Sequence, residues 1–213
     1  MRWIALLLLA ATLVPGPARA EGEEAGEFDY YVMALSWSPN WCAREGDAQG
    51  SDQCDPGRGL GWILHGLWPQ YEAGWPSYCR TGERDPSRRD TAAMADIMGT
   101  SGLAWHQWKK HGRCTGLSAA QYFALSREAY GRIARPPAFD RLDETIRLPA
   151  QVVEDAFMAG NPGLTDDMMT VTCTGDMIAE LRLCLTRDLE PRRCGRDVRR
   201  DCTAGRAVMD PPR

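Results

Sequence analysis

Lysine is nearly absent from this chain of 213 residues, because Lys109 and Lys110 are the only lysines among 25 Lys and Arg residues. Histidine is almost as rare, and the chain has only His65, His106 and His111. Acidic residues number 29, so the formal net charge is -4 at pH 7. This balance argues against a protein that coats nucleic acid through bulk positive charge, but it permits an enzyme with a locally basic cleft.

No apolar run is long enough to cross a membrane, since a spanning helix needs about 20 residues. The apolar run at residues 3–14 follows the basic Arg2 and precedes the small-residue ending Ala18-Arg19-Ala20. This order is typical of a secretory signal peptide. We therefore expect residues 1–20 to be a signal peptide, residues 21–213 to form a single domain, and the protein to be secreted or periplasmic with no membrane partner.

Cysteine is the one reactive residue type that is well represented. No two cysteines lie closer than eight positions, so the tight pairs of many zinc sites do not occur. An even number of cysteines in an exported protein predicts four disulfides, although spacing alone does not choose their pairing. The eight are Cys42, Cys54, Cys79, Cys114, Cys173, Cys184, Cys194 and Cys202.

Hydrophobic periodicity predicts an α+β fold in which helices flank an antiparallel sheet. Alternation and flanking Pro or Gly predict strands at 28–39, 62–68, 168–174 and 178–186. Helical periodicity predicts helices at 90–99, 103–111, 118–134 and 149–159. Ser118 and Gln121 form a capping-box pattern at the start of the third helix.

The stretch "AWHQWKKHGRC" at residues 104–114 concentrates the rare side chains on one side of a helix. At 100° per residue, His106, Gln107, Lys110 and His111 fall within an arc of about 140°. The two tryptophans of the stretch fall on the opposite side and are expected to anchor the helix in the core. A solvated basic helix with incidental histidines is the alternative interpretation.

Metal binding is a weaker interpretation of the same stretch. A zinc-protease helix has histidines at i and i+4 with a glutamate between them, whereas His106 and His111 are five apart with no acid between. A cation would also lie beside Lys110. We expect no metal and no cofactor, and a metal-dependent phosphoesterase remains only as an alternative.

These side chains suit a phosphodiester substrate. One imidazole can take a proton from an attacking hydroxyl, a second can protonate a departing oxygen, and a lysine can stabilise charge on the phosphoryl oxygens. An imidazole pKa of about 6.5 allows both protonation states near neutral pH. RNA supplies its own nucleophile, the 2′-hydroxyl, so RNA is the expected substrate.

Two motifs together resemble the ribonuclease T2 family. "HGLWP" at His65 and "HQWKKHGRC" at His106 are similar to its two active-site segments in order, in spacing and in the cysteine three places after the last histidine. The resemblance extends to "LSWSPNWC" near the start and "AELRLCL" near the end. It therefore spans most of the chain and implies a disulfide-bonded ribonuclease T2-like catalytic domain.

The resemblance to that family implies a role for each motif residue. His65 would be the general acid for the departing 5′-oxygen and His111 the general base for the 2′-hydroxyl. His106 would bind phosphate, and Lys110 would stabilise the transition state. The implied activity is metal-independent cleavage of RNA through a 2′,3′-cyclic phosphate to 3′-phosphate ends. We further expect single-stranded RNA as the substrate, little base specificity and a monomer.

Gln107 departs from the family pattern, in which glutamate usually follows this histidine. An amide cannot exchange a proton at useful pH, but it can donate a hydrogen bond to a phosphoryl oxygen. We include Gln107 among the catalytic residues and expect an active enzyme. A catalytically weakened RNA-binding relative is the alternative.

The resemblance also implies the disulfide pairing and the place of the base. The pairs would be Cys42–Cys54, Cys79–Cys114, Cys173–Cys202 and Cys184–Cys194. Trp68 and Gln70 are expected to bind substrate, with Tyr71, Trp75 and Tyr78 as further candidates for the base site. The arginines at 192, 193, 196, 199 and 200 either contact the RNA backbone or form a solvated loop face.

Overall fold

The computed structural model describes residues 23–213, so the expected signal peptide at 1–20 lies outside the described residues. The sheet has six strands, and four of its five strand pairings are antiparallel. The strands are β1 (Tyr30–Trp37), β2 (Trp62–Gln70), β3 (Ile146–Leu148), β4 (Met169–Thr174), β5 (Met177–Leu185) and β6 (Ala207–Met209). Their order is β2-β1-β5-β6-β3, with β4 also paired to β5.

Among the described residues, one short α-helix lies between β1 and β2, and the other α-helices lie between β2 and β4. They are α1 (Ser38–Trp41), α2 (Arg88–Ala92), α3 (Ala95–Met98), α4 (Ser101–Lys110), α5 (Ala119–Arg132), α6 (Pro137–Asp140) and α7 (Ala150–Gly160). The capping box of Ser118 and Gln121 is formed at the start of α5. The predicted α+β fold with a mainly antiparallel sheet and flanking helices is confirmed.

Both faces of β1 are covered, which explains its continuous burial. Tyr31, Met33 and Leu35 alternate on the face that joins the main hydrophobic core. Tyr30 and Val32 lie on the other face, in a smaller cluster with the Cys184–Cys194 disulfide and Val198. The C-terminal segment therefore covers the sheet face opposite the helices.

Two of the local predictions differ from the structure, and two short strands were not predicted. The predicted helix at 90–99 is divided into α2 and α3, because the chain turns at Met94 to bury Ile97 and Met98, and no Pro or Gly marks this turn. The first strand ends at Trp37, and Pro39 occupies the first turn of α1, where its missing N–H costs nothing. β3 and β6 have three residues each, too few for a periodic pattern.

Four disulfides brace the described residues in the pairing that the family resemblance implies. Cys42–Cys54 closes the loop after α1, and Cys79–Cys114 joins the segment after β2 to the turn that follows α4. Cys173–Cys202 and Cys184–Cys194 attach the C-terminal segment to β4 and β5. Three of the four therefore hold segments that flank the sheet or α4.

Candidate active site

One cavity of about 350 Å³ lies between α4, the sheet and the C-terminal segment. It brings together all seven side chains that the sequence assigned to catalysis or substrate binding. They are His65, Trp68, Gln70, His106, Gln107, Lys110 and His111. Four of them come from α4 and its end, and the other three come from β2.

His65 projects from an irregularity in β2. Ala34 of β1 pairs with Gly66, and Leu35 pairs with Leu64, so His65 is an extra residue without a partner in the ladder. Such a β-bulge bends a strand and redirects a side chain. The bulge therefore gives His65 its position at the cavity wall.

The ring of His65 contacts a buried carboxylate. Its Nδ1 makes a hydrogen bond to Oε1 of Glu180 in β5. The other carboxylate oxygen, Oε2, accepts from Arg182 Nε at 2.9 Å and lies 2.8 Å from Arg182 Nη2. Burial raises the pKa of the Glu180 carboxyl, but the hydrogen bonds and charges of His65 and Arg182 outweigh burial, and the net shift is downward.

Trp68 connects β2 to α4. Its indole Nε1 donates to Gln107 Oε1 at 2.7 Å, and its ring stacks on His111 with centroids 5.2 Å apart. A Cβ on Gly66 would overlap both the Gln107 oxygen and the Trp68 nitrogen. The glycine of "HGLWP" is therefore required by the close approach of α4 to β2.

His111 is the most buried of the three histidines. It follows the last residue of α4, is 5% exposed, and its Nδ1 is buried without a hydrogen-bond partner within residues 23–213. Burial, together with the charges of Lys110, His65 and His106, lowers the pKa of His111 to about 3. The neutral imidazole is therefore the form of His111 near neutral pH.

His106 and Lys110 lie one turn apart on α4 and both face the cavity. Partial burial lowers the pKa of His106, and the positive charges of Lys110 and His65 lower it further. Lys110 Nζ makes no hydrogen bond or ion pair to a residue in the described part of the chain. The cavity therefore contains an ammonium group that can contact an anionic substrate.

The opposite side of α4 is only partly buried. Trp108 is fully buried, and its Nε1 donates to Asp85 Oδ1 at 2.8 Å. Trp105 is 43% exposed and lies beside Lys109, whose Nζ is 5.6 Å from the ring centroid. The expectation that both tryptophans anchor the helix is therefore wrong for Trp105, because α4 presents that edge to solvent.

The candidates for the base site divide into two groups. Trp75, 49% exposed, lines the cavity with Trp68 and the buried Gln70, whose Nε2 donates to the Pro69 carbonyl at 2.8 Å. Tyr71 packs against the main core and Tyr78 is exposed, and neither lines this cavity.

The five C-terminal arginines differ in their contacts. Arg192 pairs with Glu72 and Arg193 pairs with Asp167, so both are engaged at the surface. Arg200 lines the cavity. Arg196 and Arg199 are exposed and lie outside this cavity.

The family is decided by comparison of the whole chain. The model of the ribonuclease T2 family matches residues 28–194, which contain all the histidines and the buried Glu180. The chain belongs to the ribonuclease T2 family.

Curated relatives of this T2 protein include bacterial ribonucleases. A ribonuclease from Aeromonas hydrophila is 41% identical over 149 residues, covering 68% of this chain and 65% of the relative. A probable ribonuclease from Haemophilus influenzae is 33% identical over 120 residues, covering 51% of this chain and 44% of the relative. The chain thus spans less than two thirds of the length of these relatives.

Solved structures with the same fold include plant proteins. An RNase-related protein from Calystegia sepium has a TM-score of 0.66 at 18% identity, covering 86% of this chain and 99% of that protein. The self-incompatibility-associated SF11-RNase of Nicotiana alata has a TM-score of 0.64 at 18% identity, covering 86% of this chain and all of that protein. At these identities the likeness supports the T2 fold alone.

Sequence reasoning missed Glu180 and Arg182, although it quoted "AELRLCL" as similar to the T2 family. A charged pair at i and i+2 in an otherwise apolar strand places both charges on one sheet face, and this was the available signal. Within residues 23–213, no three His, Cys, Asp or Glu side chains cluster as metal ligands. The same residues contain no helix long and apolar enough to span a membrane.

Proposed function

We propose that this T2 protein is a metal-independent endoribonuclease that cleaves single-stranded RNA. The observation that carries the proposal is the contrast between two histidines in one cavity. His65 has an anionic partner, Glu180, that stabilises an imidazolium. His111 is buried beside Lys110, and its pKa is lowered to about 3. One imidazole is therefore suited to give a proton and the other to take one.

The proposed reaction is an in-line transesterification. The 2′-hydroxyl attacks the adjacent phosphorus and passes its proton to His111, while His65 gives a proton to the departing 5′-oxygen. The O2′–P bond forms and the P–O5′ bond breaks, which leaves a 2′,3′-cyclic phosphate and a 5′-hydroxyl. Water then opens the ring with the two proton transfers reversed and gives a 3′-phosphate.

Three further side chains are proposed to stabilise the phosphoryl oxygens. Lys110 and His106 are adjacent on α4 and supply the positive charge and the hydrogen-bond donors. The contact with Trp68 supports Gln107 as a hydrogen-bond donor. Because the side-chain oxygen of Gln107 accepts from the indole N–H, its amide NH2 group remains to donate to a phosphoryl oxygen. This geometry favours an active enzyme over a weakened RNA-binding relative.

Substrate binding is proposed to depend on stacking and therefore to discriminate little between bases. Trp68 and Gln70 line the cavity, and Trp75 adds an exposed ring at its edge. Every base has a π-face, so an aromatic platform accepts any of them. A base-specific pocket would instead require a set of polar groups matched to one base edge.

Export and a monomeric state belong to the same proposal. Four disulfides within residues 23–213 support an oxidising compartment, which is secretion or the periplasm, and support residues 1–20 as a signal peptide. The cavity is lined from Val32 to Arg200 of one chain. This supports residues 21–213 as one catalytic domain that works as a monomer.

Digestion of RNA in excess EDTA tests the activity. We expect strand cleavage at the rate measured without EDTA. A metal-dependent phosphoesterase would stop in EDTA, and an RNA-binding relative would shift RNA in a gel without cutting it. Either result would overturn the proposal.

A further inference from the structure

Glu180 is the buried acid of this site, at 8% exposure, and both of its carboxylate oxygens are engaged. Oε1 accepts from His65 Nδ1, and Oε2 accepts from Arg182. A buried carboxylate is costly unless it is paired and hydrogen-bonded, and these two partners meet that requirement. The contacts leave Nε2 as the only nitrogen of His65 not already engaged by the protein.

The carboxylate reaches His65 across a whole strand. Ser36 of β1 pairs with Ile63 of β2 on one side and with Glu180 of β5 on the other. The hydrogen bond therefore passes over β1 at Ser36, a small residue that borders the neighbouring cavities with His65.

The strand pairing at Glu180 is also irregular. In the pairing of β4 with β5, Thr172 faces Glu180 and Cys173 faces Ile178, so Ala179 is an extra residue beside the carboxylate. Bulges redirect side chains, and here one lies at or beside each end of the His65–Glu180 contact.

We propose that Glu180, held in place by Arg182, is a positioning residue that fixes the ring orientation and tautomer of His65. The inference rests on the proposed function. The imidazolium gives its Nε2 proton to the departing 5′-oxygen, and the neutral ring keeps its Nδ1 proton in the hydrogen bond to Glu180. Arg182 stabilises the anion, so that the carboxylate does not take up that proton itself.

Two substrates with different leaving groups separate this role from a structural one. A dinucleoside phosphate loses an alkoxide and needs a general acid. Uridine 3′-(para-nitrophenyl phosphate) loses a nitrophenolate, which departs without protonation. The same enzyme preparation is measured on both, so that the ratio of the two kcat/KM values does not depend on the folded fraction.

Glu180→Gln should lower kcat/KM on the dinucleoside phosphate by about 10- to 100-fold, a part of what a general acid supplies, and affect the nitrophenyl ester far less. Glu180→Asp keeps the charge, and its ratio of the two kcat/KM values should lie between those of the wild type and Glu180→Gln. This variant replaces Glu180→Gln in the test if Glu180→Gln folds poorly. Glu154→Gln is the matched control. Glu154 is equally buried and accepts from Val171 N, but lies outside the cavity.

Equal losses on the two substrates, or no loss, would overturn the inference. Like Glu180→Gln, His65→Ala should lose more kcat/KM on the dinucleoside phosphate than on the nitrophenyl ester. Equal losses in His65→Ala would show that the proposed role of His65 as general acid is wrong. A wild-type protein that cleaves neither substrate would refute the proposed function, and the inference with it.

Discussion

The indole N–H of Trp68 donates to the side-chain oxygen of Gln107 over 2.7 Å and so joins the strand that carries His65 to the helix that carries His106 and Lys110. The same indole ring stacks on His111. Gln107 is 1% exposed, so any charge at this position acts on the imidazoles with little screening by water.

Gln107→Glu should move the pH-rate profile to higher pH. A carboxylate at this buried position would favour the charged form of nearby imidazoles and raise their pKa values. The acid limb of kcat/KM against pH measures the shift. Gln121→Glu makes the same chemical change at an exposed capping position and should leave the profile in place. An unmoved profile in Gln107→Glu would contradict this account of the position.

The two lysines provide a matched pair. Lys110 lines the cavity, whereas Lys109 pairs with Asp85 at 2.9 Å outside it. Lys110→Met should lower kcat by about 10²- to 10³-fold, because it removes a donor to the phosphoryl oxygens. Lys109→Met should leave kcat close to the wild-type value and change the free energy of unfolding by less than about 1 kcal/mol. Equal effects of the two substitutions on kcat would refute the role assigned to Lys110.

Gly66→Ala should reduce both stability and activity. Its Cβ would overlap the hydrogen bond between Trp68 and Gln107, so β2 and α4 would have to move apart. Gly131→Ala is the control, since Gly131 lies in α5 with open space around it. Alanine there should raise the free energy of unfolding by up to about 1 kcal/mol. Thermal unfolding and kcat/KM check both variants.

The burial of His111 should make stability depend on pH. Its pKa is about 3 in the folded protein and about 6.5 when unfolded, so between these values the unfolded chain binds a proton that the native protein does not. Stability is therefore lost as the pH falls from about 6.5 toward 3. His111→Gln should lose less stability than wild type between pH 7 and pH 4, measured by denaturant unfolding. Above about pH 8 the two stability curves should run parallel, and divergence there would contradict this cause.

Arg200 should contribute to the salt dependence of RNA cleavage. It lines the cavity, whereas Arg193 is paired with Asp167. If Arg200 contacts a phosphate, Arg200→Gln should reduce the slope of log kcat/KM against log salt by about 0.7, the value for one contact on a single strand. Arg193→Gln should leave the slope unchanged. A slope unchanged in Arg200→Gln would assign this arginine to the solvated loop face.

Most helices, most strands and the side of α4 that carries the polar residues could be predicted from the sequence. The contacts that depend on strand pairing could not. The 3.6-residue period placed His106, Gln107 and Lys110 on one side of α4, where they line the cavity. The bulge at His65 arises only when β2 pairs with β1, and Glu180 reaches His65 only across β1. The alternation in β5 places Glu180 and Arg182 on one sheet face, but it does not show that Glu180 contacts His65, so that contact had to come from the structure.

The exposure of Trp105 is a second feature that the sequence did not predict. Periodicity grouped Trp105 with Trp108, but only the latter contacts the core. Which side of a helix is covered depends on the neighbouring elements, and α4 is covered by β2, α2 and α3 over part of its circumference. Composition alone does not contain that information.

Product analysis on dinucleoside phosphates in EDTA tests the central claim most directly. We predict that the wild-type protein forms a nucleoside 2′,3′-cyclic phosphate and a free 5′-hydroxyl before any 3′-phosphate appears. His111→Ala should form the cyclic phosphate about 10²- to 10⁴-fold more slowly. A 5′-phosphate product, loss of cleavage in EDTA, or full activity in His111→Ala would contradict the account.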